Sequence, residues 1–97
     1  MFSSAEMRSD YLKFKDCLLV LMIPATQLKL ELNLCLLYTV DSNGHNQLAA
    51  LVFFEQQEGL TRGLLEFKQY VQSLPRFVLM QRQQISNSLV AFKNTFG

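Results

Sequence analysis

Leu28, Leu30, Leu32, Leu34 and Leu36 alternate with Lys29, Glu31, Asn33 and Cys35. A period of two held over nine residues puts the leucines on one side of an extended chain, whereas a helix would scatter them around its circumference. Leucine has only modest strand propensity, so the pattern overrides propensity. The run continues through Tyr38 and Val40 to Asp41-Ser42-Asn43-Gly44-His45-Asn46, where Asn43 and Gly44 suit the positive φ angles of a type I′ turn. A returning strand from Gln47 to Glu55 then completes a β-hairpin over residues 27 to 56. With Asn43-Gly44 at the tip, opposed residue numbers sum to 87. Leu36 then meets Leu51 and Leu34 meets Phe53 on one face; Cys35 meets Val52 and Leu37 meets Ala50 on the other.

Both faces of this hairpin are apolar. A lone hairpin is barely stable, and a sheet apolar on both sides has to be covered on both. A roughly 300 Å² face left in water forgoes about 7 kcal/mol at ~25 cal/mol/Å², comparable with the net stability of a whole domain.

The flanking segments supply helices. Ser3-Ser4-Ala5-Glu6 fits a capping box with Ser3 as the N-cap, and Met7, Tyr11, Phe14 and Leu18 follow on one helical stripe. Cys17 to Ile23 reads either as the last turns of that helix or as a buried strand. Pro24 forces Ile23 into an extended conformation and ends the element in both readings. As a strand it would neighbour Leu28 to Tyr38 in a three-stranded meander. Thr61 is an N-cap candidate, with Leu60 and Leu65 placed as a hydrophobic staple. Leu64, Phe67, Val71 and Leu74 then repeat at three and four. Pro75 ends this helix and can open another, whose seam is Val78, Ile85, Leu89, Phe92 and Phe96.

The expected fold class is α+β: a small antiparallel sheet of three strands, an N-terminal helix and two C-terminal helices, in one domain spanning residues 1–97. This α-β-β-β-α-α order resembles that of small interaction folds such as RWD-like domains. Their characteristic Tyr-Pro turn has no counterpart here, so the resemblance covers topology and assigns no function.

Composition points to a subunit of an assembly. Ninety-seven residues, 49% hydrophobic, suffice for one domain that buries roughly 60–70% of its unfolded surface. The charged fraction is 18%, below the usual quarter, so the solvated surface is thin. The longest uncharged apolar run, Cys17 to Ile23, has seven residues where a membrane span needs ~20. Asp10 and Asp16 interrupt the basic flank that a signal peptide would need, so a cytoplasmic or nuclear protein is expected. Cys17 and Cys35 lie in leucine-rich runs, where a thiol acts as a small hydrophobe.

Most site chemistry is poorly represented. A metal site would have to draw on His45, Cys17 and Cys35 without ligand spacing. Asp41, Ser42 and His45 have the residue types of a hydrolytic triad but crowd into one turn. Gly44, Gly59, Gly63 and Gly97 match no phosphate-binding loop, and Glu55 with Glu58 reads as a solvated connection. The expectation is therefore a protein that is not an enzyme and needs no cofactor or metal.

Three binding readings remain. Residues 67–97 carry four basic and no acidic side chains: Lys68, Arg76, Arg82 and Lys93, with Phe67, Tyr70 and Phe77 among them. That is the composition of a weak nucleic-acid contact engaging about four phosphates. The favoured reading is a protein interface, in a homodimer or a hetero-complex, made by Val78, Ile85, Leu89, Phe92 and Phe96 with Cys35, Leu37 and Val52 of one sheet face. A carrier of a small apolar ligand is a further reading, and requires a large enclosed cavity.

Overall fold

A computed structural model of the chain describes residues 1–80 together with Phe92, Thr95 and Phe96. The elements are α1 (Ala5–Lys13), β1 (Cys17–Ile23), α2 (Ala25–Leu28), β2 (Asn33–Val40), β3 (Asn46–Phe54), α3 (Gln57–Val71) and β4 (Phe77–Met80). The fold is α+β, with a four-stranded sheet in the order β3-β2-β1-β4. The sheet is mixed: β1–β2 and β2–β3 pair antiparallel, β1–β4 parallel. None of these helices is long and apolar enough to cross a membrane.

The expected meander is present, with Cys17 to Ile23 as its first strand, but a fourth strand extends it. Residues 77–80 were expected in a helix opened by Pro75; instead they add β4 to the far edge, beginning where Phe77 N donates to Asp16 O at 2.8 Å. α3 ends early, at Val71, because Gln72 adopts a left-handed conformation (φ 53°) whose amide caps Lys68 O. Five residues then carry the chain to the edge of β1. Among the described residues a single helix therefore separates β3 from β4, not two in succession.

Helix starts also differ from the sequence reading. Ser4, not Ser3, caps α1, its hydroxyl accepting from Met7 N at 3.1 Å. Ser3 instead donates its hydroxyl to Ala49 O at 2.7 Å, tying the N-terminal arm to β3. α3 begins at Gln57, four residues ahead of Thr61, because Leu60 extends the buried stripe of Leu64, Phe67 and Val71 by one turn.

The leucine alternation yields a strand only from Asn33 onward. Ahead of it, Ala25–Leu28 form a single helical turn closed by Lys29 in the left-handed region (φ 57°). Asn33 Oδ1 accepts from Ala25 N at 2.8 Å and staples that turn to the start of β2. This interaction across eight residues outweighs the period of two, and leaves Leu30 and Leu32 exposed.

The hairpin tip is a three-residue loop, not a type I′ turn. Asp41 N donates to His45 O and Gly44 N donates to Asp41 O, and in this loop only Gly44, at φ 81°, is left-handed. The pairing that follows, Val40 with Asn46 through Tyr38 with Leu48, sums to 86. A bulge that leaves Ala49 unmatched restores the sum of 87, so Leu37 meets Ala50, Leu36 meets Leu51, Cys35 meets Val52 and Leu34 meets Phe53. The central register is the one expected from the sequence, reached through two offsets that cancel.

α1 and α3 both lie on one side of the sheet. Tyr11, Leu60, Leu64, Phe67 and Val71 meet Leu18, Val20, Met22, Cys35, Leu37, Val52 and Phe54 in the core, and Phe92 joins them. The Tyr11 and Phe67 rings pack edge to face at 5.0 Å. The buried Tyr11 hydroxyl donates to Ser73 O at 2.9 Å.

Candidate functional site

Strand pairing alternates the two faces, so the residues opposite the core can be read row by row. Phe53, Leu34 and Ile23 form one row; Leu51, Leu36 and Leu21 form the next. Leu48, Tyr38, Leu19 and Leu79 form the third, and Asn46 paired with Val40, together with Cys17 beside Phe77, closes the surface. None of these residues is charged, and the Asn46 amide, the Tyr38 hydroxyl and the Cys17 thiol are their only polar side-chain groups. α1 and α3 both lie on the opposite side of the sheet. Phe53, Phe77 and Leu79 are 48%, 61% and 57% exposed, and, exposed Asn46 apart, the remaining side chains are half-buried. At the Phe53 corner, Leu30 and Leu32 extend the apolar surface around an open depression of about 420 Å³, with Glu31 on its rim.

Both sides of the sheet are apolar, as the pairing implied, but the assignment of faces is reversed. Cys35 and Leu37 are 0% exposed and Val52 1%. They form core under α1 and α3 and present nothing to a partner. Side-chain size does not separate the faces, since Leu37 and Phe54 are buried with Cys35, Ala50 and Val52; the small residues only leave local room for a helix backbone to approach. Gly63 of α3 exploits that room, packing directly over Val52.

The proposed C-terminal seam is also turned inward where it is described. Val78 is half-buried against the core from β4. Phe92 is 3% exposed within the core, and Phe96 stacks on it at 5.9 Å. Ile85 and Leu89 lie outside the described residues.

The four cations do not form a described patch. Lys68 donates Nζ to Thr95 O at 3.3 Å, and exposed Arg76 stands over the Phe77 ring at 5.9 Å. Arg82 and Lys93 lie outside the described residues.

Titratable groups are held by local structure. Asp41 Oδ1 accepts from His45 N and Asn43 N, each at 2.9 Å, and Oδ2 accepts from Gln47 Nε2 at 3.1 Å. The His45 amide leads these in holding the carboxyl below its ordinary pKa. His45 Nδ1 is 3.9 Å from Asp41 Oδ2, on a side chain 74% exposed. Burial pushes the Cys35 thiol from 9.0 up to about 12, leaving it protonated and inert at neutral pH. Among the described residues no group of three or more His, Cys, Asp or Glu side chains is arranged to hold a metal ion. A second open depression, of about 590 Å³, lies along the first turns of α3 between Gln56, Gln57, Glu58, Thr61, Arg62 and Leu65.

No protein-family model, curated protein or solved structure matches the chain.

Proposed function

We propose that this chain is a non-catalytic protein-interaction subunit that docks through the apolar sheet face made by β1, β2, β3 and β4. The carrying observation is the row structure of that face: leucines and aromatics across four strands, no charge among them, and both long helices on the opposite side. Contiguous apolar surface of this kind marks an interaction site, since leaving it in water forgoes the burial free energy of the whole face. The inward packing of Phe92 and Phe96 supports the same reading, because it brings these C-terminal aromatics to the helix-covered side and not over the open face.

The non-catalytic part of the reading rests on how the polar groups are used. The histidine stands at an exposed hairpin tip, and its Asp41 neighbour is engaged with backbone amides. The test combines light scattering with the fluorescence of an apolar dye on the purified chain at tens of micromolar. An assembly larger than one chain, or a monomer that binds the dye, is the expected result. A monomer that binds no dye contradicts the proposal.

A further inference from the structure

We infer that the occupant of this face is a second copy of the same chain, stacked sheet on sheet about a two-fold axis through the Leu21–Leu36 pair; the inference rests on the docking reading above and names its partner. Geometry selects the occupant. The face is three strands wide at the Leu34 and Leu36 rows and four at the Tyr38 row, roughly 14–19 Å at ~4.8 Å per strand, whereas a helix is about 10 Å across and would leave a third to a half of the face in water. Another flat apolar sheet face covers all of it at the ~10 Å separation of stacked sheets. The partner also has to be as free of charge as the surface it covers, and a second copy of this face meets that requirement at matching width. Self-pairing therefore leaves no charged side chain from these rows buried without a counterion.

Area agrees with that choice. Five residues each of β1, β2 and β3 with the four of β4 make a face of about 300 Å² in projection. Two corrugated faces, with the rims added by Leu30, Leu32 and Phe77, come to roughly 1,000 Å² of accessible surface, where specific interfaces begin. The pairing is isologous. The Leu21–Leu36 pair lies on the two central strands, in the second of four rows; an axis across the strands sets Leu36 against its own counterpart, and an axis along them sets it against the partner's Leu21, one strand spacing from the partner's Leu36.

Sedimentation velocity of the full chain from low to high micromolar concentration, on wild type, Leu36→Lys, Leu36→Asp and an equimolar mixture of the two variants, tests this. Circular dichroism confirms that each variant is folded. The expected result is a wild-type dimer, self-association weakened at least about tenfold in each variant by the buried like charges, and recovery of dimer on mixing, when Lys meets Asp across the axis. A wild-type dimer that survives both substitutions, or no recovery on mixing, overturns the two-fold contact. A wild-type monomer that binds an apolar dye, and loses that binding in Leu36→Lys, overturns the second copy as occupant while the docking reading stands. A monomer that binds no dye overturns both.

Discussion

Gly63 of α3 rests directly on Val52 of β3: a Cβ built on the glycine would stand 2.5 Å from Val52 Cγ1 and 3.2 Å from Cγ2. The helix reaches the sheet this closely only because that position has no side chain. In an exposed helix, Gly→Ala stabilises by about 1 kcal/mol. Here the added methyl has to push the helix off β3, and overpacking of this kind costs about 1–3 kcal/mol. Gly63→Ala is therefore expected to lower the midpoint of thermal unfolding, and Val52→Ala in the same chain to recover part of the loss by making room. A rise in the midpoint for Gly63→Ala alone would show that α3 lies farther from the sheet.

Burial raises the Cys35 thiol from 9.0 to about 12 and the Tyr11 hydroxyl from 10.0 to about 12. Each group holds its proton more tightly folded than unfolded. The stability it contributes is whole below the ordinary pKa and is lost as pH rises toward the folded one. Denaturant midpoints are thus expected to hold steady up to about pH 9 and to fall between there and about pH 12. At neutral pH, in chain diluted until any dimer has dissociated, a small alkylating reagent is expected to modify the half-buried Cys17 and to spare Cys35 until the chain unfolds. Mass mapping of the labelled cysteine checks this; equal labelling of both in the folded chain contradicts it.

At the hairpin tip the sign is opposite. The Asp41 carboxyl is held below its ordinary pKa, foremost by the His45 amide, so its contribution is present at neutral pH and is lost as pH falls through the lowered value. Asp41→Ala is expected to lower thermal stability at pH 7, and the gap from wild type to close on acidification. A gap independent of pH would show that the loop does not depend on the carboxylate. Gly44→Ala meets no steric neighbour but has to hold φ 81°, which costs about 1–2 kcal/mol for a residue with a Cβ.

How far the sequence could be read depends on the range of the interactions involved. The pairing of Leu34, Cys35, Leu36 and Leu37 with Phe53, Val52, Leu51 and Ala50 was legible because alternation and a turn are local signals. The type I′ turn was not correct, and Ala49 compensated as a bulge, held by Ser3 from 46 residues away, a contact that no local pattern records. Leu28 to Leu32 misled because Asn33 closes a turn there that a period of two cannot register. β4 was missed because Phe77 to Met80 are only four residues, all apolar and without alternation, and their strand character comes from pairing in parallel with Cys17 to Val20. The existence of a second apolar face was legible; its identity was not, since that follows from where α1 and α3 settle.

That identity is the central claim, and comparing Leu36→Lys with its neighbour Leu37→Lys tests it most directly. Leu37 is 0% exposed under the helices, so a lysine there buries an unpaired charge at a cost of about 3–5 kcal/mol. Leu36 lies on the other face, half-buried and turned away from α1 and α3. Thermal unfolding of both variants, monitored by circular dichroism, is expected to give a folded chain with a cooperative transition for Leu36→Lys, lowered only by the loss of the dimer, and a largely unfolded chain for Leu37→Lys. Unfolding of Leu36→Lys to the same extent as Leu37→Lys would mean that the chain covers this face by itself, and would contradict the account.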